Sequence, residues 1–398
     1  MAVHEWSGSS DAPHILKAES SERHYSCFVE KGLGERAGAI DGEINVRIAL
    51  IAPLAEAVPP KLYGGTERVI WWLTEALVDL GHDITLYASA DSQTNARLVP
   101  CADQALRLAG INNHIAYTVA MADRVLANAD QFDAIHFHID FVHFPLFRHL
   151  SDRVFTTLHG RLDLPDFMPG FESFPEMKLV SISNHQRRPL PDANFVATIY
   201  HGLPDDHIPF NPDGGSYLAF LGRMSPEKRP DRAIEIARRT GMKLKMAAKV
   251  DHADRAYFDE RIAPLLDDPL IEFIGEISDA EKPAFLGGAR ALLFPIDWPE
   301  PFGLVMIEAM AAGTPTIAWK MGSTSEVIDH GRSGYLVESI DQAVDAVHRL
   351  DQLPRAGVRA CFEERFTSRR MAQNYMALFE RAAGLGHAQA RESFLLSK

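Results

Sequence analysis

Two glutamates, Glu300 and Glu308, lie eight positions apart in the segment DWPEPFGLVMIEAMAAGTPTIA (297–318). The apolar run around Glu308 predicts a buried helix, where a carboxylate is costly unless it is hydrogen-bonded or paired. One interpretation is a salt bridge to a nearby Arg or Lys. The other is that Glu308 accepts hydrogen bonds from a vicinal diol of a ligand, such as a ribose, because the two hydroxyls match its two oxygens.

The chain just before this helix favours an anion. Gly303 permits close backbone approach, and the free N–H groups at the start of a helix beginning near Leu304 attract a group such as a phosphate. Upstream, YLAFLGRMSPEKR places Arg223 and Lys228 after a predicted strand, where two cations suit a diphosphate. Taken alone, that segment is equally well interpreted as a solvated basic loop. Together, the two segments predict one ligand, with a sugar at Glu300, a diphosphate at the helix N-terminus and a ribose at Glu308.

These residues are carried by strands that alternate with helices, a pattern typical of doubly wound parallel sheets. The alternation runs through residues 44–207, pauses at a Pro-, Asn- and Gly-rich linker (208–215), and resumes through 216–365. We therefore predict two α/β domains, each built on a parallel sheet. The pattern of residues 366–385 predicts a final helix. Residues 1–43 show no sustained periodicity, so we predict that they form a disordered extension.

The bulk composition excludes several classes of protein. The chain has 398 residues, of which 46% are hydrophobic, and a formal net charge of −14. This charge argues against general nucleic-acid binding, and no apolar run is long enough to span a bilayer. Three dispersed cysteines and no secretory signal at the N-terminus favour the cytoplasm.

Metal chemistry has little support in the sequence. No Asp-x-Asp pair occurs, although a metal-bridged diphosphate usually needs clustered carboxylates. In DAIHFHIDF, His136 and His138 share one face of a predicted strand, which would suit two metal ligands. We favour instead a polar strand end, and we predict neither a metal nor another cofactor.

On these motifs, the chain resembles a family 4 glycosyltransferase, a retaining enzyme. The resemblance implies the GT-B fold, in which two Rossmann-like parallel-sheet domains face each other across a cleft. The E-x7-E pattern is carried by Glu300 and Glu308, and the phosphate-binding cations match Arg223 and Lys228. The N-terminal glycine-rich loop matches PPKLYGGTERV, and TLHG matches the segment whose histidine faces the donor sugar. These two segments add the following residues to the site: Gly64, Gly65 and His159.

The resemblance implies transfer of a hexosyl group from a sugar nucleotide to a hydroxyl acceptor. Arg223 and Lys228 would stabilise the departing diphosphate, and Glu300 would hold the donor sugar beside backbone N–H groups of Phe302, Gly303 and Leu304. The final helix would cross back to the first domain. His136 and His138 would line the cleft between the domains on the acceptor side. UDP-glucose and GDP-mannose are the donors to try first. A sugar-nucleotide epimerase or hydrolase on the same fold, or a non-catalytic sugar-nucleotide-binding protein, remains an alternative.

Overall fold

The computed structural model describes residues 45–61 and 64–382. The extension predicted at 1–43 and the last three residues of the helix predicted at 366–385 lie outside this part of the chain. In the described residues, the strands form two fully parallel sheets, of seven and six strands. None of the helices in these ranges is both long and apolar enough to cross a membrane.

The first sheet has the strand order β3-β2-β1-β4-β5-β6-β7. Its strands, with their helices, make up what we call the first lobe: β1 (Arg47–Ile51), β2 (Asp83–Ser89), β3 (Arg97–Ala102), β4 (Ala134–Phe137), β5 (Val154–Thr157), β6 (Lys178–Ser181) and β7 (Phe195–Thr198). The second lobe is built on the order β10-β9-β8-β11-β12-β13. Its strands are β8 (Tyr217–Arg223), β9 (Lys243–Lys249), β10 (Ile271–Gly275), β11 (Ala289–Phe294), β12 (Thr316–Trp319) and β13 (Gly334–Val337).

Helices connect the strands in both lobes. Those of the described first lobe are α1 (Gly65–Asp79), α2 (Ile115–Leu126), α3 (Phe144–Phe147) and α4 (Met168–Glu172). Those that follow are α5 (Pro230–Thr240), α6 (Arg255–Tyr257), α7 (Lys282–Gly287), α8 (Leu304–Ala311), α9 (Thr324–Val327), α10 (Ile340–His348), α11 (Arg355–Arg365) and α12 (Ser368–Ala382). A short 3-10 turn, Pro226–Lys228, follows β8.

The predicted α/β architecture is confirmed, and the central strands of both sheets are buried. The sequence pattern did not indicate β3, β7 or β13, which all lie at sheet edges. The residues of β3 and β7 are mostly part-exposed. Edge strands lack the continuous apolar run by which a buried parallel strand is recognised.

The strand orders alone indicate where a ligand would bind. In each sheet the winding direction reverses beside its first strand, between β1 and β4 and between β8 and β11. Open parallel sheets bind ligands at the carboxyl ends of the strands at such a reversal. Arg223 ends β8, and the segment carrying Glu300 follows β11, so both lie at the reversal of the second sheet.

The chain passes between the lobes at two neighbouring points. Leu203 and Thr367 form a parallel bridge there, with Leu203 N–H donating to Phe366 O at 3.0 Å. Helix α12 then packs on the first lobe: the Tyr375 hydroxyl lies 2.8 Å from Thr157 Oγ1, and its ring contacts His136. The predicted return of the last helix to the first domain is confirmed.

Residues 208–215 pack on the second lobe. Arg355 of α11 donates to Asn211 O at 2.6 Å, and Asn211 N–H donates to Ala312 O at 3.1 Å. The crossing itself lies nearer Leu203, a few residues before the predicted linker. Composition identified the irregular segment, but its hydrogen bonds come from helices that are distant in sequence.

A carboxylate of the second lobe holds the first lobe directly. Glu326 of α9 accepts hydrogen bonds from the backbone N–H groups of Asn184 and His185, both at 2.7 Å. The Tyr200 hydroxyl donates to the same carboxylate at 3.1 Å. Burial, assisted by Glu326, raises the pKa of Tyr200 to about 12, so this donor stays protonated at neutral pH.

Candidate functional site

A cleft of about 780 Å³ lies between the two lobes. Its lining includes most of the predicted site: Gly64, Gly65, His159, Arg223, Lys228, Glu300, Phe302, Gly303, Leu304 and Glu308. Basic side chains from both lobes also face it, namely Lys61, Arg68, Arg161, Lys249 and Lys282. The cleft is therefore rich in cations although the chain as a whole is acidic, which suits a ligand carrying phosphates.

Lys228 and Glu300 form an ion pair inside this cleft. The Lys228 ammonium donates to Glu300 Oε2, and the Trp298 indole N–H donates to the same oxygen at 3.1 Å. Lys228 Nζ also lies 4.8 Å from the centroid of the Trp298 ring. Sequence analysis did not single out Trp298, and the only available signal was an aromatic residue next to the PEPFG segment.

Arg223 lies on the same side of the cleft as Lys228. Its guanidinium contacts Glu227 Oε1 at 2.5 Å and lies 3.8 Å from Asp254. The side chain remains 35% exposed, so it can exchange these contacts for those of a ligand. Because Arg223 ends the central strand β8 and Lys228 follows it, a diphosphate near the strand end would lie within the field of both.

The N-terminus of α8 completes an anion-binding arrangement. Gly303 precedes it with a φ of +83°, in the left-handed region that favours glycine, and no side chain caps the helix. Ser323 supports the preceding loop: its hydroxyl donates to Phe302 O at 2.8 Å and its N–H donates to Glu300 O at 3.0 Å. The predicted phosphate end of the site is thus a loop fixed by its neighbours.

Glu308, further along α8, is only 4% exposed and is paired with a lysine. Lys282 Nζ lies 3.1 Å from Glu308 Oε1 and 3.0 Å from Asp279 Oδ1, and Asp279 pairs with Arg68 of the first lobe. Burial lowers the pKa of Lys282, but Glu308 and Asp279 outweigh it, and the pKa is raised. The salt-bridge interpretation of Glu308 is correct, and its position on the cleft wall leaves the ligand interpretation open.

The glycine-rich loop brings the first lobe to α8. Gly65 begins α1, and a Cβ atom at this position would lie 3.7 Å from Leu304 Cδ1, so the two helix N-termini approach each other across the cleft. A Cβ atom at Gly64 would lie 2.8 Å from Pro60 Cβ, which makes a larger residue difficult to accommodate. The absence of a side chain at Gly64 therefore permits the close packing of this loop.

The three predicted histidines lie together, but only His159 lines the cleft. His159 lines the cleft, and His138 lies behind it, with His138 Nδ1 2.8 Å from His159 Nε2. His136 is fully buried against Thr157 and Tyr375, so this residue does not reach the cleft as predicted for an acceptor-side group. The reason is that α12, which is remote in sequence, covers it. His201, which the sequence analysis missed, stacks on His159 with ring centroids 5.2 Å apart.

Five histidines predict loss of stability in mild acid: the buried His136, His138, His143 and His201, and the part-buried His159 at the cleft. Burial lowers the pKa of each, to about 3 for His136 and His159, so they are neutral in the folded protein. The unfolded chain takes up protons below about pH 6.5, so stability is present above this pH and falls from there towards pH 3. Each histidine should contribute about 1.4 kcal/mol to the difference in unfolding free energy between pH 7.5 and 5.5.

Urea unfolding at the two pH values measures this difference. His143→Gln should reduce it by the contribution of one histidine, whereas His348→Gln, at an exposed position of α10, should leave it unchanged. Equal unfolding free energies at pH 7.5 and 5.5 would contradict the prediction.

Comparisons with known proteins identify the family. The model described as Glycosyltransferase Family 4 matches residues 63–206, and the model Glycosyl transferases group 1 matches residues 205–359. The D-inositol 3-phosphate glycosyltransferase of Nocardioides sp. is 28% identical over 180 residues, which are 40% of this chain and 37% of that protein. The chain thus spans little more than a third of that curated relative.

Two further similarities extend over more of the chain. A glycogen synthase of Mycobacterium tuberculosis is 25% identical over 330 residues, covering 69% of this chain and 79% of that protein. The structure of Anabaena Alr3699/HepE in complex with UDP and glucose has a TM-score of 0.65 and 15% identity, and it covers 85% of this chain and 100% of that one. The two family models lie end to end and match the two lobes. The chain therefore belongs to glycosyltransferase family 4 and has the GT-B fold.

Proposed function

We propose that this protein transfers a hexosyl group from a UDP- or GDP-sugar to a hydroxyl acceptor, with retention of configuration and without a metal ion or other cofactor. The observation that carries the proposal is the grouping of Arg223, Lys228, Glu300 and Glu308 around the N-terminus of α8 in one cleft. The UDP and glucose bound by the Anabaena protein support a nucleotide-sugar donor.

The donor would lie along the second lobe. The ribose would bind at Glu308, the diphosphate between the α8 N-terminus and the cations Arg223 and Lys228, and the sugar at Glu300. Charge builds on the diphosphate as the glycosidic bond breaks, and fixed cations in a desolvated cleft stabilise it without reorganising. His159, on the first-lobe side, would contact the donor sugar. We assign no protein nucleophile.

Thermal unfolding with UDP, GDP, UDP-glucose and GDP-mannose tests the donor site. A ligand at 100 times its dissociation constant adds about 2.7 kcal/mol to the unfolding free energy. We expect one nucleotide series to raise the melting temperature of the wild type, and Glu308→Ala and Arg223→Ala to lose most of this shift. The control Glu338→Ala, whose side chain is 67% exposed outside the cleft, should keep it. Absence of any shift in the wild type would contradict the proposal.

Chelation tests metal independence. Turnover should be unchanged by EDTA, because side-chain cations and the helix N-terminus would take the place of a metal at the diphosphate. Within residues 45–61 and 64–382, no cluster of three His, Cys, Asp or Glu side chains is arranged to hold a metal ion. Loss of activity in EDTA that Mn²⁺ or Mg²⁺ restores would refute this part of the proposal.

Dependence on an acceptor separates transfer from the alternatives. A transferase releases the nucleoside diphosphate at a rate that depends on the acceptor, whereas a hydrolase releases it in buffer alone. An epimerase would change the sugar while it remains attached to the nucleotide. A binding protein would show the thermal shift with no product in any of these assays.

A further inference from the structure

Trp298 contacts both of the oppositely charged groups that are paired at the sugar end of the cleft. Its indole N–H donates to Glu300 Oε2 at 3.1 Å, and its ring centroid is 4.8 Å from Lys228 Nζ. Phe294 lies on the ammonium as well, at 5.6 Å. One side chain thus contacts both members of the Lys228–Glu300 pair.

Hydrogen bonds and an ion pair fix the backbone around Trp298. Asp297 N–H donates to Glu227 O at 2.8 Å, and Glu300 N–H donates to Trp298 O at 2.8 Å. The Asp297 carboxylate pairs with Arg229 at 3.0 Å. The segment carrying Trp298 is therefore fastened to the turn carrying Lys228, although about 70 residues separate them in the sequence.

These contacts restrict Glu300. Both Lys228 and Trp298 donate to Oε2, which fixes the rotation of the carboxylate, so hydroxyl groups of a sugar would be received chiefly at Oε1. The rings of Trp298 and Phe294 attract the Lys228 ammonium, because a cation over an aromatic face interacts with the quadrupole of the ring. They therefore hold the ammonium near Glu300 when no diphosphate is bound. Trp298 is itself only partly buried, so filling the core does not explain the use of its N–H.

We propose that Trp298 is a positioning residue that orients Glu300 towards the donor sugar through its N–H and seats Lys228 near the diphosphate through its ring. The proposal rests on the donor site described above. It separates two properties of one side chain: the N–H governs binding of the sugar portion, and the ring governs binding of the nucleoside diphosphate.

Two substitutions divide these properties. Trp298→Phe keeps an aromatic ring and removes the N–H, whereas Trp298→Leu removes both. Using UDP with UDP-glucose, or GDP with GDP-mannose, Trp298→Phe should bind the diphosphate within about 2-fold of wild type and the sugar nucleotide at least 5-fold more weakly. Trp298→Leu should weaken both. The matched control is Trp71→Phe, which replaces a partly exposed tryptophan of α1 outside the cleft lining. This variant should bind both ligands as the wild type does. Equal weakening of both ligands by Trp298→Phe would overturn the proposal.

A ligand-free measurement keeps this test distinct from that of the proposed function. If Trp298 restrains Glu300, Trp298→Phe should lower the melting temperature more in the wild-type background than in Glu300→Ala, by roughly 2 °C or more. If the wild type binds none of the four nucleotides, the proposed function fails, and the comparison of melting temperatures still decides whether Trp298 acts on Glu300. Equal effects in the two backgrounds would overturn the proposal.

Discussion

Lys228→Ala is expected to lower kcat by roughly 100- to 1000-fold, the effect of removing one group that stabilises transition-state charge in a preorganised site. The ammonium is largely buried beside Glu300 and lines the cleft where the diphosphate would leave. The change also leaves the Glu300 carboxylate without its cation, which disturbs the sugar end of the site. Initial rates with the donor identified by thermal unfolding measure the effect.

Two variants make this result specific. Lys320→Ala removes a lysine that is 59% exposed outside the cleft lining, and it should retain wild-type kcat. Lys228→Arg keeps the charge and should recover part of the lost rate, less than all of it because a planar guanidinium fits the site of a compact ammonium poorly. Wild-type kcat in Lys228→Ala would remove this residue from the proposed mechanism.

Gly322→Ala is expected to lower the unfolding free energy by about 3 kcal/mol, combining left-handed backbone strain with overpacking. Gly322 has a φ of +61°, and a Cβ atom there would lie 2.4 Å from Glu300 N and 2.5 Å from Glu300 O. Because the obstructing atoms are backbone, relief requires movement of the loop that carries Glu300. Donor binding should therefore weaken together with stability, as measured by thermal unfolding with and without the nucleotide.

Gly331 provides a matched control for this change. Its φ is +81°, yet a Cβ atom there would meet nothing within 4 Å. Gly331→Ala should therefore lower the unfolding free energy only by the cost of the left-handed backbone, about 1–2 kcal/mol. It should bind the donor as the wild type does. If both alanine variants unfold at the same temperature and bind equally, the close approach of Gly322 to Glu300 has no role in supporting the site.

The charged contacts of the site were beyond prediction from local sequence. Lys228 is paired with Glu300, and Lys282 with Glu308, across 72 and 26 positions of chain. Sequence analysis placed both glutamates in a ligand site and raised a salt bridge as an alternative for Glu308. The partner of Glu308 could not be chosen from the sequence, because several lysines and arginines follow neighbouring strands. Lys282 is the partner because α7, which it begins, packs on the second sheet beside α8.

His136 shows the same dependence on distant chain. The pattern DAIHFHID correctly predicted that His136 lies on a strand, β4, that ends near the cleft. Whether the side chain lines that cleft depends on what covers it, and the cover is Tyr375 of α12. Trp298 escaped prediction for a similar reason, since its contact with Lys228 requires the segment after β11 to lie beside the turn after β8.

Local sequence was enough to predict the alternation of strands and helices, and the buried helix that Gly303 precedes and that carries Glu308. These features depend on hydrophobic periodicity and on glycine at left-handed positions, which act within a few residues. The pairing of charges, the histidine that lines the cleft and the surface on which each linking segment packs became evident only in the folded protein. Those outcomes depend on contacts between elements far apart in the chain, and the order of strands in the two sheets brings these elements together.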